Sequence, residues 1–440
     1  MWQPLFEGEE RERIRTSLDR ITRALQPSAP WASRLDSSLN PSIAMGSAGL
    51  VLFHAYRHLA EPDGGFLAPV ELWLERLLAA SPGMLSLFGG VAGSGWVLAH
   101  LDGRVFDLDG DEWAEDVDAT LLRELRGGDR TLNWDLVKGL AGSGIYWLER
   151  LPRASAREGL AALVDHLEAI GEVGADRVAW RCPAASFFFK EDRDNHPDGL
   201  YNLSVAHGTA GALGFLAGAA AAGSARARPL LASGLRWLLD HEQPEEAPAA
   251  FPMSYPPGDP ERGAGQDVRL SWCRGDAGTA ATLMAVARVL GDPEAEAAAA
   301  RLALRAARRR GVQAGVGDPC LCHGTAGLAH LFNRMFQRTG DPELAEAARH
   351  WYHHTLHLLR DDMGETGGCW SWQKEHDTWG DAVRRPEPAF LLGAAGVGLA
   401  LLAAVSDVEP AWDRLLLASL ATETHDAHAV DRAEIASVAG

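Results

Sequence analysis

Leu321-Cys322-His323-Gly324-Thr325-Ala326-Gly327 sets a thiol and an imidazole side by side at the entrance to a Gly-x-x-Gly motif. The motif recurs at Gly46/Gly49, Gly90/Gly93, Gly139/Gly142, Gly208/Gly211, Gly275/Gly278 and Gly393/Gly396. Successive first glycines lie 44, 49, 69, 67, 49 and 69 residues apart. Self-similarity at such spacings marks an array of supersecondary units. That resolves how 440 residues hold together without an evident linker, beyond the roughly 250 to 300 at which one core usually divides.

Each motif opens an apolar helical run. In Gly139 to Leu151, Ala141, Gly144, Ile145, Leu148 and Leu151 share one face. A more polar helix follows, as where Val70, Trp73, Leu74 and Leu77 form a stripe opposite Glu71 and Glu75. Gly291-Asp292-Pro293-Glu294 and Gly340-Asp341-Pro342-Glu343 read as junctions. The glycine ends one helix, Asp caps the next, and Pro fits its first turn. The same tetrapeptide at Gly258 follows no inner helix and reads as a loop. The expectation is an all-α fold over 1–440, a closed ring of seven inner and seven outer helices. At interaxial distances of roughly 8 to 10 Å, seven inner helices close at a radius of about 11 Å, with the motifs around a central cavity at one end. Loop insertions are expected near 177–202 (with Phe187, Phe188 and Phe189), 243–269 and 364–388 (with Trp370, Trp372 and Trp379). A charged amphipathic helix is expected over 9–25.

Composition narrows the function. Hydrophobic residues make up 47% and charged residues 23%, too apolar for disorder. A net charge of −19, from 41 basic and 60 acidic residues, argues against nucleic acid and for a small molecule or peptide. Met1 to Thr16 lacks the apolar segment of a signal peptide, so a cytoplasmic location is expected. Gly208 to Ala225 and Ala389 to Val405 approach membrane-span length, but their Gly and Ala content reads as closely packed buried helices, with no membrane span. Five scattered cysteines, Cys182, Cys273, Cys320, Cys322 and Cys369, point away from disulfides and toward metal or chemistry.

Aligning the seven copies on their first glycine separates these cysteines. Two residues before it stand Ala44, Phe88, Val137, Ala206, Cys273, Cys322 and Leu391; one residue before it stand Met45, Gly89, Lys138, His207, Arg274, His323 and Leu392. Cys273 and Cys322 are therefore equivalent positions in neighbouring units, and with His323 they form a three-ligand set that leaves one tetrahedral position for substrate, as in catalytic zinc sites. Cys320 is read as falling outside the repeat register and is expected to pack, a fourth ligand being its alternative role; Cys182 and Cys369 are expected to pack as small hydrophobes. His207 faces the same rim. Asp135, four residues before Gly139, reads alone as a helix cap, and Arg269, four residues before Cys273, as a surface charge.

Asn202 to Gly211, Ser271-Trp272-Cys273-Arg274-Gly275, Cys322-His323-Gly324-Thr325-Ala326-Gly327 and Phe390 to Gly396 together resemble the lanthionine synthetase C-like proteins, among them the lantibiotic cyclases. The resemblance spans nearly the whole chain. It implies an α/α-toroid with Zn2+ on Cys273, Cys322 and His323, and with His207, Asp135 and Arg269 as catalytic residues. It also implies a dehydrated precursor peptide as substrate and a dehydratase as partner. Arg274 and Ala277 depart from the family pattern, in which an aromatic residue and a proline are common.

A free thiol has a pKa near 8.5 and is mostly protonated at neutral pH; in the open zinc position it would be deprotonated. The expected reaction is addition of that sulfur to dehydroalanine or dehydrobutyrine in the same peptide, giving a (methyl)lanthionine thioether. His207 would protonate the enolate, with Asp135 orienting the imidazole or accepting the thiol proton and Arg269 stabilising negative charge. The alternatives are addition of glutathione or another external thiol, a prenyltransferase-like barrel, and a non-catalytic zinc-stabilised peptide-binding toroid.

Overall fold

The computed structural model describes residues 1–32, 40–80, 84–108, 112–127, 133–187, 190–373 and 382–420. Phe188, Phe189 and Trp379 of the expected insertions lie outside the described residues. Fourteen helices of ten residues or more are found among the described residues: α1 (Gly8–Ala24), α2 (Ser47–Ala60), α3 (Leu67–Ala79), α4 (Val91–Leu101), α5 (Glu112–Arg126), α6 (Leu140–Glu149), α7 (Ala154–Ile170), α8 (Thr209–Ala221), α9 (Ala227–Leu239), α10 (Asp276–Leu290), α11 (Pro293–Arg308), α12 (Thr325–Thr339), α13 (Pro342–Leu358) and α14 (Ala394–Val405).

The even-numbered helices are the inner ones. Most of them are apolar on nearly every face, as expected of helices with neighbours on every side: α14 buries every residue from Ala394 to Val405, while α12 adds the buried polar side chains His330, Asn333 and Arg334. They touch in sequence from α2 to α14, and α14 touches α2, so the ring closes. The odd-numbered helices from α3 to α13 each lie outside the inner helix that precedes them. They bury one stripe only, such as Ala295, Ala299, Leu302, Ala303 and Ala306 of α11. This is the expected all-α, α/α-toroid architecture. The last inner helix takes its outer partner from the other end of the chain, because α1 packs on α14. The Trp2 indole donates to Ala403 O at 2.8 Å and Leu5 N to Ala404 O at 2.9 Å beside it.

The expected junctions are present. Gly291 and Gly340 are left-handed, with φ of 58° and 71°, and Asp292 and Asp341 accept hydrogen bonds from the first N–H groups of α11 and α13. At Gly258 the tetrapeptide leads only into a short 3-10 turn, Pro260–Gly263. The stretches expected as insertions carry small antiparallel pairings: β1 (Glu172–Val173) with β2 (Val178–Ala179), β3 (Arg181–Cys182) with β4 (Leu200–Asn202) and β4 with β5 (Ser254–Tyr255), and β6 (Trp370–Gln373) with β7 (Val383–Pro386). No helix among the described residues is long and apolar enough to cross a membrane, and the two apolar stretches noted in the sequence carry α8 and α14.

The Gly-x-x-Gly motifs start the inner helices. Gly324 is the residue before α12, and a Cβ there would lie 2.3 Å from Cys320 N. Gly327 lies within the first turn of α12, where a Cβ would come within 1.8 Å of Leu321 O. Both glycines are needed for close approach of backbone to backbone. The turns are then stitched together. Ala44 N donates to Phe88 O, Val137 N to Ala206 O, Ala206 N to Cys273 O, Cys273 N to Cys322 O, Cys322 N to Leu391 O, and Leu391 N to Ala44 O, at 2.9–3.4 Å. All are the residues two before the first glycine, so the sequence register is a spatial one.

The expected central cavity is filled below this rim. Phe88 and Trp272, from turns on opposite sides of the ring, meet with ring centroids 5.6 Å apart and are both buried. From the other end the segment Ala411–Leu416 occupies the axis. Trp272 Nε1 donates to Leu416 O at 2.8 Å, and Arg414 binds Glu149 at 2.9 and 3.0 Å. Asp413 accepts from Arg334 Nε at 2.8 Å and pairs with His330 Nε2 at 2.8 Å. Leu417, left-handed at φ 56°, lays its side chain against Gly214. Large apolar side chains fill a space that inner-helix spacing alone leaves open.

Candidate metal centre

Cys273 and Cys322 end neighbouring turns joined by the bond from Cys273 N to Cys322 O, and His323 follows Cys322 directly. Their donor atoms all lie within 4.8 Å of one another. Cys273 is buried, while Cys322 and His323 are half-buried at the rim. A hydrogen bond from Cys322 pulls the Cys273 thiol well below its ordinary pKa against the effect of burial, aided by His323 and Arg274. The same bond, together with burial and the charge on Cys273, pushes Cys322 up, with Arg269 opposing. Two close sulfurs, one favouring the thiolate, and an adjacent imidazole are a donor set that fits a borderline-soft ion such as zinc.

The preceding turn presents His207, whose Nδ1 lies 2.7 Å from Asp135 Oδ2. Asp135 is held from every side. Its Oδ1 accepts from Lys138 N at 2.6 Å and Gly139 N at 3.0 Å, and its Oδ2 also accepts from Asn133 Nδ2 at 3.1 Å. One Asp135 oxygen therefore caps the turn, and the other holds the His207 imidazole. Cys182 on β3 donates its S–H to His207 O at 3.2 Å, and burial raises its thiol pKa. His207 stands in the turn beside the sulfur cluster and outside the donor set. Arg269 is exposed.

The register extends further than its last two positions. Four residues before the first glycine stand Ser42, Ser86, Asp135, Ser204, Ser271, Cys320 and Ala389, so Cys320 occupies a repeat position and the reading that excluded it is corrected. Met45 N, His207 N, Arg274 N and His323 N donate to Ser42, Ser204, Ser271 and Cys320 respectively, at 3.2–3.4 Å. Asp318, six before Gly324, was missed; its Oδ1 accepts from Cys320 N at 3.1 Å and its Oδ2 lies 3.6 Å from His323 Nε2. Asp318, Cys320 and His323 make a second close donor group. Comparing all seven copies at these two earlier positions would have found both residues. Burial, with Asp318 adding to it, holds the Cys320 thiol well above its ordinary pKa, which suits packing and a hydrogen bond to the His323 backbone.

The lanthionine synthetase C-like protein model matches residues 37–417. The chain belongs to this family. Among solved structures, nisin cyclase superposes with a TM-score of 0.71 at 16% identity, covering 92% of this chain and 97% of the other. At that identity the likeness shows the toroid fold that the lanthionine synthetase C-like chain shares with it. No curated protein matches the chain in sequence.

Proposed function

We propose that this lanthionine synthetase C-like protein is a zinc-dependent lanthipeptide cyclase, joining peptide Cys thiols to dehydroalanine or dehydrobutyrine as (methyl)lanthionine rings. The observation that carries this is the Cys273/Cys322/His323 donor set in the turn next to a His207–Asp135 pair. A zinc ion held by Cys273, Cys322 and His323 would supply a Lewis acid that lowers the pKa of an incoming thiol. The protein's own groups manage the rest. As the peptide sulfur bonds to the β-carbon, the alkene electron pair moves to the α-carbon and its carbonyl. The α-carbon then takes a proton from His207 Nε2, the nitrogen that Asp135 leaves free, while the proton given up by the thiol passes to water and an equivalent one returns His207 to its imidazolium form, so that the addition is proton-neutral overall. Asp135 fixes the ring through Nδ1 and offsets the charge of the protonated imidazole. Arg269 adds positive charge on the side of the forming enolate.

The substrate on this reading is a peptide already dehydrated at Ser or Thr, so a dehydratase acts before this protein. The test is a count of free thiols on a dehydrated Cys-containing peptide, since intramolecular addition leaves mass unchanged. Loss of thiols at constant mass is expected. Thiols that persist would refute the activity, and an adduct mass on a peptide incubated with glutathione would replace the internal nucleophile by an external one.

A further inference from the structure

In the stretch from six residues before each first glycine to the glycine itself, the seven turns hold six charged residues besides histidine: Asp135, Asp318, Glu387, Lys138, Arg269 and Arg274. Burial sorts them by sign. The three carboxylates are buried and each accepts turn N–H groups: Asp135 from Lys138 and Gly139, Asp318 from Cys320, and Glu387 from Ala389. Lys138, Arg269 and Arg274 are all exposed. Although the whole chain carries −19, the solvent face of these turns is cationic.

Arginines elsewhere on this surface meet carboxylates, as Arg177 meets Asp240, Arg308 meets Glu343 and Arg360 meets Asp362. Arg274 is different. Its Nη1 lies 3.7 Å from Met253 Sδ, and among the described residues neither it nor Arg269 has a carboxylate within ion-pair distance. Arg274 directly follows Cys273, and in register it stands one turn after His207 and two after Lys138. Side chains of one sign, exposed beside a reaction site in an acidic protein, raise the local concentration of anions and orient them.

We propose, building on the cyclase reading above, that Arg274, with Arg269 in the same turn and Lys138 two turns before it, selects peptides carrying Asp or Glu beside the reacting residues. The carboxylate pairs with Arg274 and places the flanking segment across the His207 turn. The interaction is solvent-exposed, so it changes rate constants by small factors and is weakened by salt.

Three synthetic dehydrated peptides that differ only in Asp, Asn or Lys next to the dehydroalanine provide the test, assayed by free-thiol loss with the zinc-loaded protein. The expected kcat/KM ratio of Asp to Asn peptide is about three to ten, falling toward one at high salt and in Arg274→Ala. In Arg274→Glu the order should invert in favour of the Lys peptide. Fluorescence anisotropy with Ser in place of dehydroalanine should show the same order without chemistry. Equal kcat/KM for the three peptides, or an equal loss for all three in Arg274→Glu, overturns the proposal while leaving the cyclase reading intact. A preference for mercaptoacetate over mercaptoethanol as external thiol, with none for Asp, moves the carboxylate off the peptide and also overturns it. If no peptide loses thiol yet anisotropy keeps the Asp preference, the cyclase reading fails and the recognition stands.

Discussion

At the scale of single residues, Cys322 and His207 carry separable work. Cys322→Ala removes one of three donors, and zinc bound per chain, measured by atomic emission, should fall well below one; full metal content would show that the centre lies elsewhere. His207→Asn should keep the metal, because His207 is outside the donor set, but lower kcat for thiol loss by about 10² to 10⁴. A parallel loss of metal would mean that His207 is a ligand or that the rim had collapsed. The sequence placed the three donors and the imidazole because each stands at a repeated position, where one chain serves as its own alignment. Asp318 and Cys320 were harder to read. Their roles depend on hydrogen bonds within a turn, and only the folded turn shows that a Cys fills the place of a Ser.

At the scale of elements, the helix pairs and their glycine and Asp-Pro junctions were legible from apolar periodicity and capping chemistry. The place of α1 was not, because nothing in a linear pattern says that the first helix completes the last unit. That docking has a protonation cost. His54 of α2 donates through Nε2 to Leu25 O at the end of α1, at 2.9 Å, and Trp73 donates to the same carbonyl at 3.3 Å. Burial lowers the His54 pKa to about 4, from 6.5. Between those values the unfolded chain binds a proton that the folded chain refuses, so stability is present at neutral pH and lost as the pH falls through this window, by about 3 kcal/mol at full extent. Burial places His100 at about 4 as well. Urea midpoints at pH 7 and pH 5 should therefore differ, with the lower one at pH 5. A midpoint that is constant over this range would mean that neither histidine is closed off from water.

At the scale of the whole molecule, closure of the inner ring leaves an axis that must be filled, and Ala411–Leu416 with Phe88 and Trp272 fill it. The helix count and ring topology were readable from seven motifs. The packed axis was not, since it joins Trp272 to a segment 144 residues away. The ion pairs there are buried: Arg414 and Glu149 have side chains 4% and 5% exposed. Burial alone would favour a neutral Glu149, but Arg414 and His100 outweigh it and hold the carboxyl well below its ordinary range. Arg414→Leu removes one partner and strands the other, so it should cost about 3 to 5 kcal/mol, read as a drop in the urea midpoint; the double variant with Glu149→Leu should recover much of that. A midpoint unchanged in Arg414→Leu would place Glu149 in contact with water.

A packed axis also sets a topological rule for any peptide that reaches the rim. A chain end has no route through the ring, so the substrate is presented as a bight, with its two arms leaving on the side by which they came. Neither terminus then has to pass the centre. A dehydrated peptide whose ends have been joined into a circle should lose its free thiols at a rate within a few-fold of its linear counterpart, and an obligatory free terminus would show up as a circle that keeps them.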